Sequence, residues 1–129
     1  MDAVRHCEQL AAALGADAVQ RDDAALGAHR RDTWCLSILR ERRDGPRQPP
    51  LCVVTPADTA GVAATLRYAS AHRLAVVPFG GGSGVCGGVL PDAGSIVVDL
   101  RRLDRIVEIN DTALLVRAQA GVMGDRLES

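Results

Sequence analysis

The chain has 129 residues, 47% hydrophobic and 24% charged, with a formal net charge of -1. That is enough for one globular domain with a modest core, and it offers no electrostatic basis for binding nucleic acid or an acidic membrane. All fifteen basic residues are arginine, which excludes a P-loop lysine and the lysine of Schiff-base or PLP chemistry from this segment.

In chain order, residues 4–14 read as a helix, with Val4, Cys7, Leu10, Ala11 and Leu14 at helical spacing and Gly15 as the stop. Residues 17–33 are mixed and polar. A short apolar cluster, Trp34, Cys35, Leu36, Ile38 and Leu39, precedes an Arg-, Gly- and Pro-rich stretch over 40–50 that reads as an exposed linker. Residues 1–50 are therefore expected to be a helical lead-in and linker, not a compact domain.

The pattern changes at Leu51. Residues 51–54 form a short β-rich run closed by Pro56. Asp58 is placed to cap a helix over 59–72 that carries Val62, Leu66 and Ala69 on one face. Residues 74–79 and 95–100 are the next strands. Residues 106–109 and 112–118 are expected to pair as a hairpin turning at Asn110-Asp111, the second strand half-buried by its alternation. Residues 123–129 begin a helical pattern without a C-cap, from which a truncated product is expected.

The cysteines (Cys7, Cys35, Cys52, Cys86) and histidines (His6, His29, His72) are scattered without zinc-site spacing, so no metal is expected. The thiols are expected to be reduced, with Cys52 and Cys86 as small packing residues. There is no signal segment and no apolar run near the ~18 residues a membrane helix needs. The default expectation is cytoplasmic.

Between the second and third strands, Gly80-Gly81-Gly82-Ser83-Gly84-Val85-Cys86-Gly87-Gly88 holds six of the thirteen glycines. Such a run lets successive N–H groups converge on an anion. Gly82 through Gly87 match G-x-G-x-x-G, but that fingerprint needs a helix opening on its last glycine, and Pro91 and Gly94 prevent one. A floppy surface loop fits poorly, because both flanks are core-like. Asp99 and Asp104 read as a strand-end carboxylate and a solvated loop charge.

Five blocks then stand out in order: Cys52–Pro56, the helix to His72, Ala75–Gly84, Val98–Ile106 and Ala118–Val122. Together they resemble the vanillyl-alcohol oxidase-type, or PCMH-type, FAD-binding domain over residues 51–129. Within that superfamily the chain is similar to the alkyldihydroxyacetonephosphate synthases and to the D-lactate and glycolate dehydrogenase-like oxidoreductases. Phe79 stands where the latter usually have Arg.

The resemblance implies an α+β fold, the first α/β subdomain of the PCMH-type domain, incomplete at its C-terminus. It implies that Pro78, Gly80, Gly81, Gly82, Ser83, Gly84 and Val85 wrap the FAD pyrophosphate. Gly87 and Gly88 complete the turn, and Gly121 passes near the flavin. Covalently flavinylated members carry His where this chain has Ser83, so FAD is expected to be non-covalent. No catalytic residue is assigned; a small-molecule substrate would be met by a further C-terminal domain. The function implied is that of the N-terminal portion of an FAD-dependent oxidoreductase acting on a small hydroxy acid or similar substrate. The alternatives are part of an alkyldihydroxyacetonephosphate synthase-like transferase and a non-catalytic truncated product.

Overall fold

A computed structural model describes residues 3–128; Ser129, the last residue of the expected terminal helix, lies outside them. Helix α1 spans Ala3–Leu14 and stops at Gly15, whose φ is 96°. A single 3-10 turn at Ala16–Ala18 leads into β1, Val19–Gln20. Helices α2 (Asp23–Ala28) and α3 (Cys35–Asp44) follow, then β2 (Cys52–Val54), α4 (Thr59–His72), β3 (Val76–Phe79) and β4 (Ile96–Asp99). Strands β5 (Ile106–Asn110) and β6 (Leu115–Ala118) and the short α5 (Gly124–Glu128) complete the chain. This mixture of helices with parallel and antiparallel strands is the α+β class expected.

The principal sheet has the order β1-β2-β4-β3. Its β2-β4 and β4-β3 pairs are parallel, and β1 joins β2 antiparallel. Strands β2 and β4 are buried along their whole length, as apolar runs covered on both faces must be. One side carries Leu10, Leu51, Cys52, Val54, Ala69, Ile96 and Val98; the other carries Val53, Val97, Leu26 and Phe79. Pro78 lies on the edge strand β3, where a missing N–H breaks no ladder bond.

Four local expectations are corrected. The stretch 40–50 is not all linker: residues through Asp44 continue α3, and the exposed connection is shorter. The lead-in also does structural work, since Leu10 is 1% exposed in the core and β1 extends the sheet. Helix α4 turns Thr65 and Ala69 inward and leaves Leu66 47% exposed. Thr65 can be buried because its hydroxyl donates to the Gly61 carbonyl at 2.9 Å.

The hairpin is the fourth. Strands β5 and β6 do pair antiparallel, but residues 111–114 make the connection, with Leu114 at φ 53°, so the two-residue turn is replaced by a four-residue one. Every residue of β6 is exposed. Alternation fixes which side chains share a face; burial also requires a layer to cover that face.

Candidate anion-binding loop and its supports

The loop over 80–88 leaves the carboxyl end of β3, beside the carboxyl end of β4, where Phe79 is in register with Asp99. In open α/β sheets ligands collect at this edge. Two glycines are required by geometry. Gly82 has φ +67°, and a Cβ there would sit 2.7 Å from the Phe79 ring. Gly87 has φ +79°, and a Cβ there would sit 2.8 Å from the Trp34 ring. A side chain at either position would meet both a left-handed backbone and an aromatic wall. Gly80 and Gly88 face open space, and Ser83, Val85 and Cys86 are exposed. Exposed Cys86 is thus not the packing residue expected, whereas Cys52 is fully buried.

Among the described residues, none of the N–H groups from Gly80 through Cys86 donates to a protein acceptor. A run of donors with a glycine-shaped backbone is the physical requirement of an anion cradle. Gly80 through Val85 therefore carry the free donors that a pyrophosphate would need, whereas the Gly87 N–H is already donated to Asp32.

The loop is held from behind by a segment that sequence reasoning passed over. The N–H of Thr33 donates to the Gly84 carbonyl at 3.0 Å. The Thr33 hydroxyl lies 2.9 Å from the same carbonyl and 3.3 Å from that of Ser83. Buried Asp32 accepts from the Trp34 N–H at 3.0 Å through one carboxylate oxygen and from the Gly87 N–H at 2.9 Å through the other. Thr33 and Asp32 stand fifty or more residues from the loop groups they hold, so no local pattern could have revealed these contacts.

The ground beneath the loop is polar. Asp99, 3% exposed, receives three hydrogen bonds from two guanidinium nitrogens of Arg101 and one from its backbone N–H, and lies 2.9 Å from His29 Nε2. Burial pushes the Asp99 carboxyl up, but the Arg101 and His29 hydrogen bonds outweigh it and hold the carboxyl below its usual value. His29 Nδ1 is 2.7 Å from the Ala25 carbonyl, and its ring lies 4.5 Å from Phe79. Asp99 is a strand-end residue as expected, but a buried one that ties β4 to α2. Asp104 pairs with Arg126 on the surface, and Asp58 caps α4 through the Gly61 N–H at 2.8 Å.

Gly121 reaches the loop indirectly. Its N–H donates to Leu103 at 2.8 Å, and a Cβ there would lie 2.8 Å from the Arg101 Cα and closer still to the Leu100 carbonyl oxygen. Two residues on, the Met123 methyl is 3.2 Å from the position of a Cβ on Gly81. No group of three or more potential metal ligands occurs among the described residues. None of the described helices is long and apolar enough to cross a membrane.

Residues 50–129 match the family model described as FAD binding domain. The chain is 32% identical over 117 residues to the alkyldihydroxyacetonephosphate synthase of Trypanosoma brucei brucei, covering 87% of this chain and 18% of that protein. It is 34% identical over 74 residues to the glycolate oxidase subunit GlcD of Bacillus subtilis (strain 168), covering 57% of this chain and 16% of that one. A solved alkyldihydroxyacetonephosphate synthase superposes with a TM-score of 0.85 at 22% identity, over 99% of this chain and 24% of that chain, and so shares its fold there. The chain spans less than a fifth of the length of these curated relatives.

Proposed function

Because the chain belongs to the FAD binding domain family, whose cofactor is FAD, we propose that it forms the N-terminal part of an FAD-dependent oxidoreductase acting on a small hydroxy acid or similar substrate. Pro78 and Gly80–Val85 wrap the pyrophosphate, Gly87 and Gly88 complete the turn, and Gly121 lies behind them. The observation that carries this reading is the run of undonated N–H groups on a backbone that two aromatic rings keep free of side chains. Bound FAD supplies the redox chemistry; the residues of this chain bind and orient it. No side chain here is assigned to catalysis, and the substrate is met by a further domain. The exposed apolar residues of β5 and β6 offer a surface for such a domain to cover.

Non-covalent attachment follows from the serine at position 83. Cytoplasmic residence fits four unpaired cysteines, and the net charge of -1 gives nucleic acid no footing. A second reading, a flavin-dependent transferase of the alkyldihydroxyacetonephosphate synthase kind, draws support from the similarity that reaches into the lead-in: 87% of the chain against 57% for the glycolate oxidase subunit.

The visible spectrum of the purified natural polypeptide tests the cofactor. Flavin bands whose chromophore is released on acid precipitation are expected; a colourless protein that takes up no added FAD overturns the reading. Anaerobic bleaching by glycolate or another 2-hydroxy acid then marks an oxidoreductase. A flavin that none of them bleaches favours the transferase.

A further inference from the structure

We propose that Asp32 and Thr33 are positioning residues for the anion cradle, fixing before the cofactor arrives which backbone groups of the loop face it. The inference rests on the FAD reading above and adds to it a function for the lead-in.

A trans peptide points its carbonyl and the following N–H in opposite directions. Thr33 holds the Gly84 carbonyl with both its N–H and its hydroxyl, so the Val85 N–H is turned away from Thr33, toward the open side of the loop. The weaker contact at Ser83 turns the Gly84 N–H the same way. The Gly87 N–H is committed to Asp32, so Gly87 contributes the bend of the loop and not a donor. The cradle is therefore assigned a polarity: Gly84 and Val85 present N–H groups to the pyrophosphate, and Gly87 does not.

The carboxylate is required at position 32. One oxygen serves Trp34 and the other Gly87; an asparagine would turn an NH2 group toward one of these N–H donors. The segment is also braced. His29 ties it to Asp99 at the end of β4, and Arg30 and Arg31 both bind Glu41 of α3. A latch fixed on both sides holds the loop without waiting for a ligand, which lowers the ordering cost of binding.

The test uses the natural polypeptide that carries these residues, freed of flavin and titrated with FAD. Thr33 is exposed, so Thr33→Val leaves the core intact. It should weaken FAD binding by up to about fivefold to tenfold, the most that losing the ordering worth of one hydrogen bond adds to the cost of binding, while the apoprotein stays folded. Thr33→Ser, which restores the hydroxyl, should recover wild-type affinity. Asp32→Ala, which removes both acceptor oxygens, gives a second readout without cofactor: the Gly87 amide, protected from hydrogen exchange in the wild-type apoprotein, should lose that protection. Wild-type protein that binds FAD while Thr33→Val binds it equally well, or a Gly87 amide that exchanges freely in the wild type, sinks the latch alone. A wild type that takes up no FAD overturns the cofactor reading and the latch's role with it.

Discussion

Gly121 and Gly88 separate two uses of glycine at the scale of single residues. A methyl on Gly121 meets backbone atoms of Leu100 and Arg101, which cannot rotate away. Gly121→Ala should therefore cost about 2 kcal/mol or more in urea denaturation, at the upper end of overpacking effects. Gly88 faces open space without a positive φ, so Gly88→Ala should change stability by less than about 0.5 kcal/mol. Equal effects at the two sites would contradict this account of the packing.

Two buried titratable residues make stability depend on pH. His6, 3% exposed, is 2.7 Å from the Tyr68 hydroxyl, which in turn donates to Gln9, and its ring lies 5.3 Å from that of His72. Burial, then His72, the N-terminal ammonium and Arg5, lower its pKa. The unfolded chain thus binds the proton more readily. Stability should fall as pH drops below the ordinary histidine value of about 6.5 and level off below the lowered folded value. Asp99 adds a separate loss, because its folded pKa is depressed: its contribution is complete above the ordinary carboxylate value and disappears as pH falls through the folded one. Denaturation midpoints across this range should show two steps, and His6→Gln should flatten the upper one.

At the scale of elements, helix α4 and strand β4 show how local signals and packing divide the work. The α4 start is written in Asp58, whose carboxylate caps the Gly61 N–H. Asp58→Ala should cost about 1 kcal/mol, read as a lower denaturation midpoint with unchanged slope. Ile96 is fully buried at the centre of the sheet, so Ile96→Ala should cost about 2–5 kcal/mol by the same measurement. The hairpin follows the opposite logic. Val107, Ile109 and Leu115 are 57%, 63% and 66% exposed, and an apolar two-stranded ribbon with open edges is prone to self-association. The 129-residue chain should sediment as concentration-dependent oligomers, and Ile109→Glu should shift it toward monomer. A monodisperse parent would mean that this ribbon is not sticky.

For the whole molecule, the decisive contacts join segments far apart in sequence. The lead-in supplies Leu10 to the core, β1 to the sheet edge, His29 to Asp99, and the Asp32-Thr33 latch to the glycine loop. Local periodicity was sufficient to locate α1, α4 and the strand segments after Leu51, because apolar spacing and capping act within a few residues. It was sufficient for the loop as well, since a glycine cluster between two apolar runs is itself local. It could not show that Leu66 faces outward, that β6 has no cover, or that Asp32 reaches Gly87. Each of these depends on which surfaces meet once the chain has folded. Residue order alone was enough for α1, for the elements from β2 onward, for the family and for a loop able to surround an anion, but not for β1 or α2, whose residues carry only a mixed, polar pattern. The tertiary structure alone decided which way that loop's N–H groups point, because carbonyl acceptors and the Asp32 carboxylate orient them across more than fifty residues of intervening chain.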